Sequence, residues 1–121
     1  MTRKQLDRWL TQMGKSWTER NPQIIADICA PNIKYYETPF TKPFTNPGAV
    51  KKLWQEVPET QKDIKFKHQI LTMTKKLGVA QFRAEFTKTK QKQRVILDAV
   101  CLVELNKKGL CTLFKWWWVT K

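Results

Sequence analysis

The chain has few of the residues from which metal and phosphate sites are built. It carries 1 histidine and 3 cysteines in 121 residues. Cys29, Cys101 and Cys111 lie in separate apolar stretches with no C-x-x-C spacing. This excludes the common zinc ligand sets and predicts buried, reduced thiols, as in a cytoplasmic protein. No P-loop and no dinucleotide glycine pattern is present, so neither a metal nor another cofactor is expected. Long hydrophobic runs are also missing. No stretch could span a membrane, and Met1 to Lys4 lead straight into an amphipathic pattern rather than a signal peptide. Acidic residues are scarce, 10 against 23 basic ones, for a formal net charge of +13. Such a balance favours anionic partners. The basic residues, however, gather as Lys62, Lys65 and Lys67 on one strand and as Lys88, Lys90, Lys92 and Arg94 around one turn, with poor aromatic interleaving. That is the pattern of solvated faces, so nucleic acid is not the expected partner.

What the chain does have is aromatic area, concentrated at its end. Leu110 to Lys121 holds three consecutive tryptophans of the 6 in the chain, in a run suited to a strand. Alternation sends Phe114, Trp116 and Trp118 to one face and Lys115, Trp117 and Val119 to the other. Upstream, Leu6, Leu10, Met13 and Trp17 have helical spacing over about 3 to 19. Asn21-Pro22 and Asn46-Pro47 are start signals for two more helices. The second helix carries Ile24, Ile25 and Ile28. The third carries Val50, Leu53, Trp54 and Val57 and is expected to stop at Pro58. A short strand is predicted for Ile33 to Glu37, with Phe40 to Thr45 as an edge strand or loop. Alternation predicts strands over Asp63 to Lys75 and Val79 to Lys88. Val95 to Leu105, apolar on both faces, reads as a central strand. The expectation is a single α+β domain over 1–121, with three N-terminal helices and a curved antiparallel sheet.

This order of elements, with certain residues in it, resembles the SnoaL-like branch of the nuclear transport factor 2-like superfamily. The residues are Tyr35-Tyr36-Glu37-Thr38-Pro39-Phe40, Gly48, Leu53-Trp54, Leu97-Asp98, Gly109-Leu110-Cys111 and Phe114 to Trp118. Relatives resemble it through a Tyr-Tyr-x-x-Pro-Phe strand, a helix ending in Leu-Trp, an Asp-Gly strand and a Phe-Arg-Glu-Trp-Trp finish. Here Ala99 stands for the glycine, and Lys115-Trp116 for the Arg-Glu pair. The resemblance implies a cone-shaped roll, open at one end and often a homodimer through the outer sheet face. It covers isomerases, cyclases, dehydratases, epoxide hydrolases and non-enzymatic binders, so it leaves function open.

The residues themselves suggest a cavity between the third helix and the sheet, lined by Trp54, Phe66, His68, Phe82 and Trp116. Tyr35, Tyr36, Phe40, Cys101 and Phe114 are further candidate ligand contacts. His68 shares a face with Phe66 and Ile70, so it is either a general base or a hydrogen-bonded core histidine. Asp98 is a second candidate acid, although parity groups it with Glu104 and leaves Ala99, Cys101 and Val103 inward; only a bulge would reverse that. Glu37 and Thr38 lie where the steroid isomerase branch is similar in keeping its aspartate base, but Glu37 would need a rotated strand. Cys101, inward and without a nearby cation, reads as an inert core thiol. Tyr35 shares the parity of Ile33 and is the inward one of the tyrosine pair. Trp117, opposite in parity to Trp116, is the candidate dimer contact. The expected function is binding of a small, largely apolar molecule. The alternatives are a lyase or isomerase acting through His68, and a basic scaffold for an anionic partner.

Overall fold

A computed structural model describes residues 1–121. The first helix, α1 (Arg3–Thr18), opens on a capping box in which the Thr2 hydroxyl accepts from the Gln5 backbone and the Gln5 side chain accepts from the Thr2 backbone. Leu6, Trp9, Leu10, Met13 and Trp17 form its buried stripe. Gly14 lies in that stripe because a Cβ there would fall on the Phe66 ring. The short α2 (Pro22–Asp27) has Asn21 as its cap, and β1 (Cys29–Tyr36) follows at once.

Asn46 caps α3 (Pro47–Trp54), its Oδ1 accepting from the Ala49 backbone at 2.8 Å. The helical path does not stop at Pro58. It bends at Gln55 and continues as α4 (Glu56–Thr60), which takes Pro58 in its first turn, where a missing N–H leaves no bond unmade.

Four long strands complete the chain: β2 (Gln61–Met73), β3 (Gly78–Lys88), β4 (Gln93–Leu105) and β5 (Cys111–Thr120). The sheet order is β1-β5-β4-β3-β2. The last four strands pair antiparallel, but β1 lies parallel to β5, so the sheet is mixed rather than wholly antiparallel. Two short helices and three strands separate β1 from β5 in sequence, ample length for a parallel return. The register shift between Cys29 and Lys34 accommodates Pro31 at this edge.

Alternation along β3 buries Ala80, Phe82, Ala84 and Phe86, and along β4 Val95, Leu97, Ala99, Cys101 and Val103. A second register shift, where β5 enters against Glu104 and Leu105, lets Cys111 and Phe114 both face inward despite opposite parity. The helices cover the concave face, and the aromatic core lies between. The opposite, convex face leaves Val100, Trp117 and Val119 exposed at 38%, 44% and 72%. No helix is long and apolar enough to cross a membrane.

Candidate functional site

The concave face encloses a cavity of about 410 Å³. Its floor is Met13 and Trp17 from α1 with Phe82 and Phe114 from the sheet. Leu53, Trp54, Glu56 and Val57 make one wall, and Tyr35 of β1 and Glu37 just past its end come in beside them. Lys88, Gln93 and Thr120 stand at the strand ends that form the mouth.

Hydrogen bonds fix the ring orientations. The Trp17 indole donates to Gln61 Oε1 at 2.8 Å, and the Trp54 indole donates to the Tyr35 hydroxyl at 3.1 Å. Tyr35 stacks on Phe114 with centroids 4.9 Å apart. Trp116 lies between Phe82 at 5.7 Å and Trp118 at 4.6 Å. Burial holds the Tyr35 phenol well above its ordinary range, so it stays a neutral hydroxyl.

Two polar groups of this cavity are not at rest. Burial pushes the Glu37 carboxyl up to about 7, and the nearby Glu56 carboxylate adds to the rise. The Trp116 N–H pulls the other way. It nevertheless falls outside hydrogen-bond geometry: Trp116 Nε1 is buried with no partner at all. The indole N–H is thus a donor without an acceptor, beside a carboxyl held near neutrality.

Of the residues expected at the site, Tyr35, Trp54, Phe82, Phe114 and Trp116 line the cavity. His68 and Phe66 do not. His68 Nε2 lies 2.8 Å from Asp7 Oδ1, tying β2 to α1, and Phe66 packs beneath α1 against Phe82 at 5.3 Å. The residues share the inward face of β2, but α1 rather than the cavity covers that strand. Asp98 is on the convex face, where Gln81 donates at 2.9 Å and Arg83 at 2.9 and 3.0 Å. Those bonds, Gln81 first, hold its carboxyl below the usual range, the opposite of what a buried acid would show. Cys101 is fully buried outside the cavity wall, its thiol pushed up to about 12 by desolvation. Tyr36 faces outward under Lys115 Nζ, 5.3 Å from its ring centre, and Phe40 is 97% exposed on its loop.

Sequence reasoning missed Glu56 and Lys88. Lys88 could have been found, since it continues the inward series of Phe82 and Phe86. Glu56 could not, because its position depends on the bend at Gln55. No three His, Cys, Asp or Glu side chains converge in a way that could hold a metal ion.

Comparison with known proteins places these features in context. Residues 8–114 match the model of the SnoaL-like domain. No curated protein matches the chain. Among solved structures, TsrD from Streptomyces laurentii is 10% identical, with a TM-score of 0.81 covering 98% of this chain and 90% of that one. A putative scytalone dehydratase from Novosphingobium aromaticivorans is 12% identical, with a TM-score of 0.80 covering 98% and 85%. A protein of ketosteroid isomerase-like fold from Catenulispora acidiphila, solved with trimethylamine, is 9% identical, with a TM-score of 0.78 covering 90% and 83%. At these identities the likeness is one of fold.

Proposed function

The chain belongs to the SnoaL-like domain family, and from that premise we propose that it binds a small, largely apolar molecule in the cavity beside Trp54 and Trp116. The observation that carries this reading is the cavity itself. Its volume of about 410 Å³ lies within the range of small-ligand sites, and its walls are mostly hydrophobic, rich in aromatic rings, with polar groups among them. Titrating the protein with a naphthalene-class probe should quench tryptophan fluorescence at one site per chain. Val57→Trp, which places an indole in the wall beside Trp54, should abolish that site. Quenching that survives the substitution would put the probe elsewhere and remove the basis for the reading.

A second reading is proton transfer, favoured by Glu37 rather than by His68. A carboxyl poised near 7 in an apolar cavity has the affinity a general base needs at neutral pH. In this reading the Glu37 carboxylate takes a proton from a carbon next to a ligand carbonyl. The Trp116 N–H donates to the oxygen as charge develops there, and Glu37 returns the proton to another carbon. Glu37→Gln should then stop solvent deuterium entering a bound ketone while leaving binding intact. Exchange at the wild-type rate in that variant would leave only the binding reading.

We further propose a homodimer across the convex face. Val100 and Trp117 are cross-strand partners, and Val119 extends their exposed apolar patch. Trp117→Ala should shift the protein toward monomer in sedimentation, and a wild type already monomeric at micromolar concentration would refute the dimer. The three free, buried thiols fit a reducing compartment, and cytoplasmic location is proposed on that ground.

A further inference from the structure

Two cations line the cavity without an ion-pair partner, Lys121 at the end of the chain and, on a regular strand, Lys88. Lys88 ends β3 on the inward side of the alternation, following Phe82, Ala84 and Phe86, so the pleat directs its stem toward the cavity. It is half-buried there. The ion pairs of the protein are Lys15–Glu19, His68–Asp7, Arg83–Asp98 and Arg94–Glu85, and none of them includes Lys88. The carboxyls that share the cavity, Glu37 and Glu56, come from just past β1 and from α4. The cavity therefore has an acidic side on α4 and just past β1, and a cationic side at the ends of β3 and β5.

Farther in, the Trp116 indole N–H is buried without an acceptor, on a side chain only 7% exposed. A buried donor without a partner is rare in native proteins, and a ligand oxygen would satisfy it. Trp116 and Lys88 lie on different strands, with Phe82, Phe86, Leu97 and Trp118 among the residues between them. An apolar path thus joins a free donor inside to a free cation outside. Lys90 and Lys92 follow in the next turn, and the net charge of +13 adds a long-range pull on anions.

We propose that the ligand of this cavity is an elongated apolar anion: its charged group meets Lys88 at the mouth, and an oxygen on its buried part accepts the Trp116 indole N–H. The inference rests on the cavity being a ligand site and specifies the chemistry of what enters it. A keto acid or an ester-bearing carboxylate with an aromatic or aliphatic body has both features. Glu37 and Glu56 disfavour the reverse orientation, which would bring the ligand's charge toward carboxyl groups.

The test uses 12-oxo-12-phenyldodecanoate, long enough to bridge the two groups, its methyl ester, and the analogue with a methylene in place of the ketone, titrated calorimetrically into the full chain. The acid should bind about tenfold more tightly than the ester, the scale of a charge-assisted hydrogen bond at a partly exposed site. That gap should close in Lys88→Gln and shrink as salt is raised. Trp116→Phe should weaken the ketone about fivefold, the scale of one neutral hydrogen bond, while sparing the methylene analogue. The analogue controls for any loss of packing in that variant. An ester that binds as well as the acid overturns the proposal and leaves the cavity reading standing. So does an acid preference that survives in Lys88→Gln, or a Trp116→Phe loss equal for ketone and methylene. If none of the three compounds binds, both the proposal and the cavity reading fall.

Discussion

Beneath α1 the concave face of the sheet is filled, whereas beneath α3 and α4 it is hollow, and the same strands floor both halves. The filled half packs Leu6, Leu10 and Trp9 of α1 against the sheet and Phe66, pressed close through two glycines. A Cβ at Gly14 would strike Phe66, and one at Gly78 would strike Leu6. The hollow half is walled by flat rings that are held in place. Trp17 is pinned to Gln61 and Trp54 to Tyr35, while Trp116 is wedged between Phe82 and Trp118. Rigid rings fixed by hydrogen bonds cannot relax into the space between them as leucines would. The helices differ too: α1 is a continuous 16-residue rod, whereas α3 and α4 are 8 and 5 residues with a bend at Gln55. Trp9 in the filled half is pinned too, to the Ile28 carbonyl at 2.9 Å, so the cavity follows the shape of the helices, not a shortage of large side chains.

The largest effect should come from truncating a residue in each half. Leu6 is fully buried, and Leu6→Ala should cost about 3 kcal/mol, the transfer loss plus the void left in packed surroundings. Trp118 is the larger side chain, but it stands at the cavity edge at 36% exposure. Trp118→Ala should cost only about 1 kcal/mol, chiefly its stacking on Trp116. Urea unfolding of both variants gives the two numbers. Equal costs would mean that the two halves are packed alike.

Next in size is the pH dependence that only the hollow half should show. In the folded protein Glu37 titrates at about 7, against an ordinary value of 4.5. The folded state thus holds this proton more tightly than the unfolded chain does. The resulting stability is fully present below about 4.5, declines as pH rises, and is gone above about 7. After allowing for the part of the side chain that solvent reaches, the loss is on the order of 2 kcal/mol. Glu37→Gln, which keeps the shape without the charge, should flatten this slope and be the more stable protein at pH 8 by about that amount. Unfolding midpoints measured across that pH range decide it. A wild-type slope that persists in the variant would assign the titration to another group.

The two halves were not equally legible in the sequence. The family and the α+β arrangement were, because they rest on periodicities and caps that are local: the α1 stripe, the Asn-Pro starts, and the alternation of β3 and β4. The parallel seat of β1 was not, since a parallel neighbour leaves no hairpin turn to read. Parity placed Tyr35, Phe82, Phe114 and Trp116 inward and Asp98 outward. It could not separate inward under α1 from inward under α3, which is why His68 and Phe66 were expected at the cavity and stand elsewhere. The Asp7–His68 pair joins residues 61 positions apart and has no local signature. By parity Glu37 reaches the cavity only with a rotated strand, yet it sits just past the end of β1, where the alternation of the strand no longer dictates direction.

The smallest expected effect is at His68, and it gives the sharpest test of whether the halves are independent. His68 faces α1 and meets Asp7, with its side chain 17% exposed against 61% for the carboxylate. A pair so open to water contributes little, so His68→Asn should cost less than about 1 kcal/mol. The cavity should not register the change. Phe66 lies between His68 and Phe82, with centroid separations of 6.4 and 5.3 Å, and it packs against Gly14 of α1. For the loss of His68 to reach the ligand, Phe66 would have to shift within a filled region that resists it. Ligand affinity in His68→Asn should therefore stay within about twofold of wild type, less than half a kcal/mol. Deuterium exchange into a bound ketone, if Glu37 carries it, should be unchanged as well. Calorimetry on the variant reads the first and proton NMR of the ketone the second. A tenfold loss in either, with stability intact, would mean that the histidine acts on the ligand through the packed half, and that filled and hollow are not separate regions.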